Sequence, residues 1–227
     1  DLAKGRADFE ASLEFIDALG AHPSDRLSGI VSPFQIENNT PELLTESYAA
    51  AQDRGIPWTT HAAQAVIEFN IMVQRHGITP IQFLAELGVL GPGTIIAHAI
   101  FIDESSWIQW HSKTDLKLLG DSHTAVAHCP TPFMRYGAIM EDFGRYKDAG
   151  VVLGIGTDTI PHNLIEDMRS AAVLARIASK DGQVATTSDV FHAATIGGAS
   201  ALMRDDIGRL AVGAKADMVA LDLNNPI

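Results

Sequence analysis

Three residues at the ends of short apolar runs are placed to do chemistry together. His61 closes Ile56-Pro57-Trp58-Thr59-Thr60-His61, His98 closes Thr94-Ile95-Ile96-Ala97-His98, and Asp158 follows Val151-Val152-Leu153-Gly154-Ile155-Gly156-Thr157. Imidazole and carboxylate suit Zn²⁺ or Fe²⁺, and a catalytic site of that kind keeps one coordination position open for water. The metal lowers the pKa of that water towards about 7, so hydroxide becomes available at neutral pH. Hydroxide can attack an electron-poor sp² carbon, while neighbouring His and Asp move protons from nucleophile to leaving group.

Such side chains meet only if their strands lie parallel and end on the same side. A near-continuous apolar run ending in small residues reads as a strand buried on both faces. Parallel α/β folds place their chemistry at the carboxyl ends of such strands. Strand-like runs occur at Leu27–Phe34, Gly55–His61, Thr94–Phe101, Thr124–Cys129 and Gly150–Gly156. Between them lie segments with apolar residues at three- and four-residue spacing, which predict helices. Thr40-Pro41-Glu42 gives an N-cap, a proline at the first helical position and an acid in the first turn. Thr79-Pro80 repeats the signal, and Gly55 and Gly150 close helices that run into strands. Alternating strand and helix predicts crossover connections and a parallel sheet.

Beyond Asp158 the spacing predicts two long helices, Asn163–Ser179 and Ser188–Arg204. The run Gly208–Asp222 then reads as a turn-rich β segment opening a small separate sheet. Trp107, Ile108, Leu116, Leu118 and Leu119 read as one helix face packed on the sheet, and Leu164 to Ile177 as core packing. Five strands suit either an open doubly wound sheet or part of a closed (β/α)8 barrel, which needs eight strands and about 250 residues. The rhythm alone leaves both open.

With 227 residues the chain can bury a substantial core. A net charge of −12 argues against nucleic-acid and anionic-membrane partners, which need basic patches. The longest apolar runs are strand-length, so none spans a bilayer, and no signal peptide is visible at the start. A single cysteine, Cys129, excludes an internal disulfide and fits a reducing, cytoplasmic setting. The expected partner is a small-molecule substrate, with a homodimer as an open possibility. Gly154-Ile155-Gly156 lacks the third glycine of a dinucleotide fingerprint, since Thr159 occupies its place.

Taken together, Thr60-His61-Ala62-Ala63-Gln64, Ala97-His98-Ala99, Ala127-His128-Cys129-Pro130 and Gly156-Thr157-Asp158-Thr159 resemble the amidohydrolase superfamily. Within it the order is similar to the branch of cytosine, guanine and S-adenosylhomocysteine deaminases and triazine chlorohydrolases. Gly208-Arg209-Leu210 and Gly213-Ala214-Lys215-Ala216-Asp217-Met218-Val219 resemble the segment that returns the chain to that family's small β-sandwich. The resemblance implies a (β/α)8 TIM barrel of which only the fourth to eighth strands are present. It divides the chain into a barrel part, residues 1–206, and a return segment, residues 207–227.

By that resemblance His61 and Asp158 are metal ligands. His98 and Asp158 carry proton transfer, Gln64 stands among the catalytic residues at the position of the branch's acid, and His128 and Phe133 line the substrate pocket. His162 joins them from its place in the loop after the Asp158 strand, which would overhang the pocket. The implied cofactor is one divalent metal, Zn²⁺ first and Fe²⁺ second. The fourth-strand run Leu27–Phe34 holds no lysine, where binuclear relatives carry a carbamylated one. The implied activity is hydrolysis of a C–N or C–Cl bond on a nitrogen heterocycle.

Two departures bear on it. No His-x-His pair occurs in the chain, although the family draws two metal ligands from one on its first strand. With Asp1-Leu2-Ala3 in place of an initiator Met, this leads us to expect a partial sequence, or compensation by another chain. Position 64 is Gln where deaminases of this branch carry Glu, and an amide donates a hydrogen bond but cannot shuttle a proton. A rival expectation is therefore a metal-poor, non-catalytic homologue that binds a small ligand.

Overall fold

The computed structural model of the chain describes residues 2–24, 26–222 and 224. The elements follow the βα rhythm: α1 (Leu2–Leu19), α2 (Pro41–Arg54), β1 (Trp58–Ala62), α3 (Val66–His76), α4 (Pro80–Glu86), β2 (Thr94–His98), α5 (Asp115–Asp121), β3 (Ala125–His128), α6 (Pro130–Met134), α7 (Phe143–Asp148), β4 (Val152–Ile155), α8 (Leu164–Ser179), α9 (Thr187–His192) and α10 (Gly198–Ala201). The strands pair in parallel in the order β1-β2-β3-β4.

That order separates the two architectures left open above. A doubly wound sheet reverses its strand order at a switch point. Here each strand lies beside its predecessor, which is how the strands of a TIM-type barrel are wound. The expected first strand, Leu27–Phe34, forms only isolated parallel bridges, Val31 to Trp58 and Gln35 to His61. Pro33 lies between these bridges and has no N–H to donate, so the segment touches the sheet edge without forming a continuous ladder.

The helix punctuation behaves as local chemistry predicts. Thr40 Oγ1 accepts from Leu43 N at 3.3 Å at the start of α2. Thr79 and Gln82 form a reciprocal capping box on α4. Gly55 ends α2 in the left-handed conformation at φ 62°. The core lies between sheet and helices: Trp58, Leu44, Leu84, Ile96 and Leu119 are fully buried. Each such side chain contributes about 1.5–3 kcal/mol by leaving water. Trp58 also satisfies its indole N–H on Ser47 Oγ at 2.9 Å, so its burial leaves no donor unpaired.

Four expectations are revised. The predicted helix Ser188–Arg204 is broken into α9, a π-turn over Ala193–Gly197, and α10. A Cβ at Gly197 would stand 2.1 Å from the Leu153 carbonyl oxygen, so this turn rides directly on β4. Trp107 and Ile108 belong to the loop before α5; Trp107 is exposed, and only Leu116 and Leu119 of that stripe are buried. In α8, Ile165 and Ile177 face solvent while Ala171, Ala172 and Ala175 pack inward. Finally, the described residues of 208–222 form no strand, and Leu210, Val212 and Val219 are exposed. A strand needs a neighbour to pair its backbone, and none of the described strands pairs with this segment. Helix α1 has no counterpart among the expectations; it docks through Phe9, Leu13 and Ile16 and through a bidentate Arg54–Asp17 pair at 2.7 and 2.8 Å.

Candidate active site

Parallel pairing sets the carboxyl ends of all four strands at one mouth. Ala62 pairs with His98, and His128 with Ile155, so the chemistry-bearing residues stand on adjacent strand ends. The His61 and His98 rings lie 5.2 Å apart, and His98 Nε2 lies 3.8 Å from Asp158 Oδ2. Phe133 in α6 meets the His98 ring edge-on at 4.5 Å. His61, His98, Asp158 and Phe133 thus share one place.

The tautomer of His61 follows from its partner. Its Nδ1 lies 2.6 Å from the Phe34 carbonyl, and a carbonyl only accepts. Nδ1 therefore carries the proton, and the Nε2 lone pair is free to ligate. This is the usual posture of a metal-binding histidine. Asp158 is half-exposed at the mouth. These two residues fit a divalent metal in donor type and in posture. They make only part of a shell: among the described residues no group of three or more His, Cys, Asp or Glu is gathered closely enough to hold an ion.

His98 is buried, and its Nδ1 has no partner. Burial, reinforced by His61 and His128, pushes its pKa down to about 3, so it stands as neutral imidazole at neutral pH. His128 is also buried with Nδ1 unpartnered, and burial lowers it to about 4. Its ring lies 6.1 Å from Phe143. His162 is exposed in the loop after β4, with Nδ1 3.0 Å from Thr157 Oγ1, one residue before Asp158. Arg135 ties the loops after β3 and β4 together through Thr159 Oγ1 at 3.0 Å.

The backbone under the site is unusual. Ala63, His98, Ala99 and Asp158 are all left-handed, with φ of 54°, 81°, 46° and 46°. Side-chain-bearing residues in such regions cost of order 1–3 kcal/mol each and persist only where the surroundings hold them.

Gln64 is half-buried directly after this turn, and its backbone N–H donates to Glu68 Oε2 at 2.7 Å. The carboxylate that caps these amides is Glu68, which the sequence reading missed. A signal existed: Glu68 is the third residue of α3, where an acid reaches back to the amides before the helix. Burial raises Glu68 to about 7 against the pull of those amides.

Fold and site together define a parallel β/α scaffold presenting imidazoles and a carboxylate at its carboxyl mouth. The chain belongs to the amidohydrolase family, whose model matches residues 6–227. It is 34% identical to a 5-methylthioadenosine/S-adenosylhomocysteine deaminase of Natronomonas pharaonis, covering 100% of this chain and 51% of that protein. A zinc-bound adenosine deaminase from Xanthomonas campestris shares the fold with a TM-score of 0.80 at 24% identity, over 92% of this chain and 46% of that one. A mutant atrazine chlorohydrolase from Arthrobacter aurescens, complexed with zinc and atraton, superposes with a TM-score of 0.77 at 24% identity, over 90% of this chain and 45% of that one. The chain thus spans about half the length of the relatives it matches.

Proposed function

We propose that this chain supplies the carboxyl-terminal part of a (β/α)8-barrel hydrolase that removes an amino group from an adenine-type nucleoside. In this reading the bridge-forming segment and β1 to β4 are the fourth to eighth strands. Residues 1–206 belong to the barrel, and 207–227 lead back to a small β-sandwich. The observation that carries the reading is the convergence of His61, His98 and Asp158 at one mouth. The deaminase named above supports a C–N bond over a C–Cl bond as the target, because it is the relative with 34% identity over the whole chain.

His61 and Asp158 would hold one divalent metal, with zinc favoured by its presence in the two solved neighbours. The ion supplies Lewis acidity, which makes hydroxide available near neutral pH. Asp158, half-exposed, takes the proton released by the nucleophile. His98, kept neutral by burial, donates a hydrogen bond to a substrate heteroatom beside the attacked carbon and relays a proton with Asp158. Gln64 hydrogen-bonds the heterocycle without protonating it, while His128 and Phe133 wall the pocket and His162 overhangs it.

Among the described residues no helix is long and apolar enough to cross a membrane. A cytoplasmic enzyme with a small-molecule substrate is the setting proposed. A homodimer would cover the exposed Ile165, Ile177 and Phe191 of α8 and α9.

The test is turnover by the zinc-loaded holoenzyme with 5-methylthioadenosine, S-adenosylhomocysteine and atrazine, reading ammonia and chloride. Ammonia from the nucleosides is expected. Zinc bound at one equivalent with no ammonia released would overturn the deaminase assignment, and chloride from atrazine alone would replace it.

A further inference from the structure

Two left-handed turns aim the candidate catalytic side chains, and the same buried hydrogen-bond network grips both. The turn after β1 holds Ala63 at φ 54°, and the turn after β2 holds His98 and Ala99 at φ 81° and 46°. They are stitched to each other: the Ala63 carbonyl accepts from both Ile100 N and Phe101 N at 2.8 Å, and Ala99 N donates to the Ala62 carbonyl at 3.2 Å. Each end of this stitch is fixed by one buried side chain from a helix behind it. Glu68 of α3 accepts from Ala63 N and Gln64 N, both at 2.7 Å. Tyr146 of α7 donates its hydroxyl to the Ala99 carbonyl at 2.5 Å. Both side chains are almost fully buried, 1% and 4% exposed, so neither anchor can be replaced by bulk water.

We propose that Glu68 and Tyr146 are positioning residues, which clamp the two turns from behind and so set the aim of Gln64 and His98. Neither needs to touch substrate. Deleting one frees a buried backbone group and lets a left-handed residue relax towards an ordinary conformation, which swings the side chain next to it. The two anchors come from different β/α units yet act on one stitched backbone, so removing both should cost less than the product of the single losses. The kinetic part of this proposal rests on the hydrolase reading above; the geometric part does not.

The test compares Tyr146→Phe, Glu68→Gln and the double variant in the holoenzyme. Tyr146→Phe removes only the hydroxyl, and Glu68→Gln keeps the shape and one acceptor. Histidine-ring ¹⁵N spectra are read first, with the His98 resonance assigned by its loss in His98→Asn. Both single variants are expected to shift or broaden that resonance while melting cooperatively. With substrate, kcat is expected to fall roughly tenfold to a hundredfold, the scale on which an ångström of misplacement acts, with KM within about twofold. Glu68→Ala should fall further than Glu68→Gln.

If wild type lacks turnover, the hydrolase reading fails while the His98 spectrum still decides the clamp. A lowered melting temperature with an unmoved His98 resonance overturns the proposal. Should Tyr146→Phe not fold, the same spectrum of Glu68→Gln carries the decision.

Discussion

Nε2 of His98 lies 3.8 Å from Oδ2 of Asp158, although β2, which His98 ends, and β4, which precedes Asp158, are separated by β3. The backbone is left-handed at both residues, with φ of 81° and 46°. In the proposed reaction this pair would carry the proton between nucleophile and leaving group. Asp158→Asn keeps the shape and removes the base. It should lower kcat by roughly 10²–10⁴-fold, the usual worth of general acid–base catalysis, with the fold intact by circular dichroism. Activity within threefold of wild type would remove Asp158 from proton transfer.

Gln64 offers a test in the opposite direction. Its amide can hydrogen-bond a ring nitrogen but cannot protonate it. Gln64→Glu supplies the acid and should raise kcat for the aminated substrate by roughly tenfold or more. An acidic group should then appear as a new limb in the pH–rate profile. A lower rate with no new limb would mean that the His98–Asp158 pair already carries every proton and that the amide is needed as a donor.

The stability of the chain should pass through opposing pH effects. Burial lowers His128 from 6.5 to about 4, so the unfolded chain takes up that proton first. Its contribution is present above pH 6.5 and is lost as pH falls towards 4. Burial raises Glu68 from 4.5 to about 7, so the folded chain holds the proton that the unfolded chain has released. Its contribution is present below pH 4.5 and is lost as pH rises through 7. Between pH 4.5 and 6.5 the two oppose each other. Glu68→Gln should therefore flatten the fall in melting temperature from pH 6.5 to 7.5, and His128→Gln should leave the Glu68 slope less opposed between pH 4.5 and 6.5. Unchanged slopes in both variants would show that neither group titrates with folding.

How much of this was legible in the sequence depends on whether the cause was local. Thr40 and Thr79 announce α2 and α4 because a cap needs only its own turn. His61, His98 and Asp158 stood out because buried parallel strands read as apolar runs with a polar end. Pro33 could have warned that Leu27–Phe34 would bridge rather than pair. Tyr146 was invisible, since its partner, the Ala99 carbonyl, lies 47 residues away and carries no side-chain signature. The β reading of Gly208–Asp222 took local turn chemistry for a strand, and strands depend on neighbours that a local pattern does not contain.

The π-turn on β4 yields the last prediction. Gly197 has an ordinary helical φ of −61°, so its lack of a side chain serves space and not conformation. An added Cβ would fall 2.1 Å from the Leu153 carbonyl oxygen and 3.3 Å from the His192 carbonyl oxygen. Both obstacles are backbone, and neither can rotate away as a side chain would. Gly197→Ala must therefore push the π-turn off β4, opening the packing of Gly154 against Gly198, whose Cα lies 3.6 Å from a Cβ built on Gly154. Overpacking of this kind costs about 1–3 kcal/mol or more, against the few tenths to 1 kcal/mol that alanine gains in an ordinary helix. Urea unfolding of Gly197→Ala beside Gly182→Ala, a site where a Cβ meets nothing within 4 Å, measures the difference. Equal midpoints for the two variants would show that the turn is free to lift from β4.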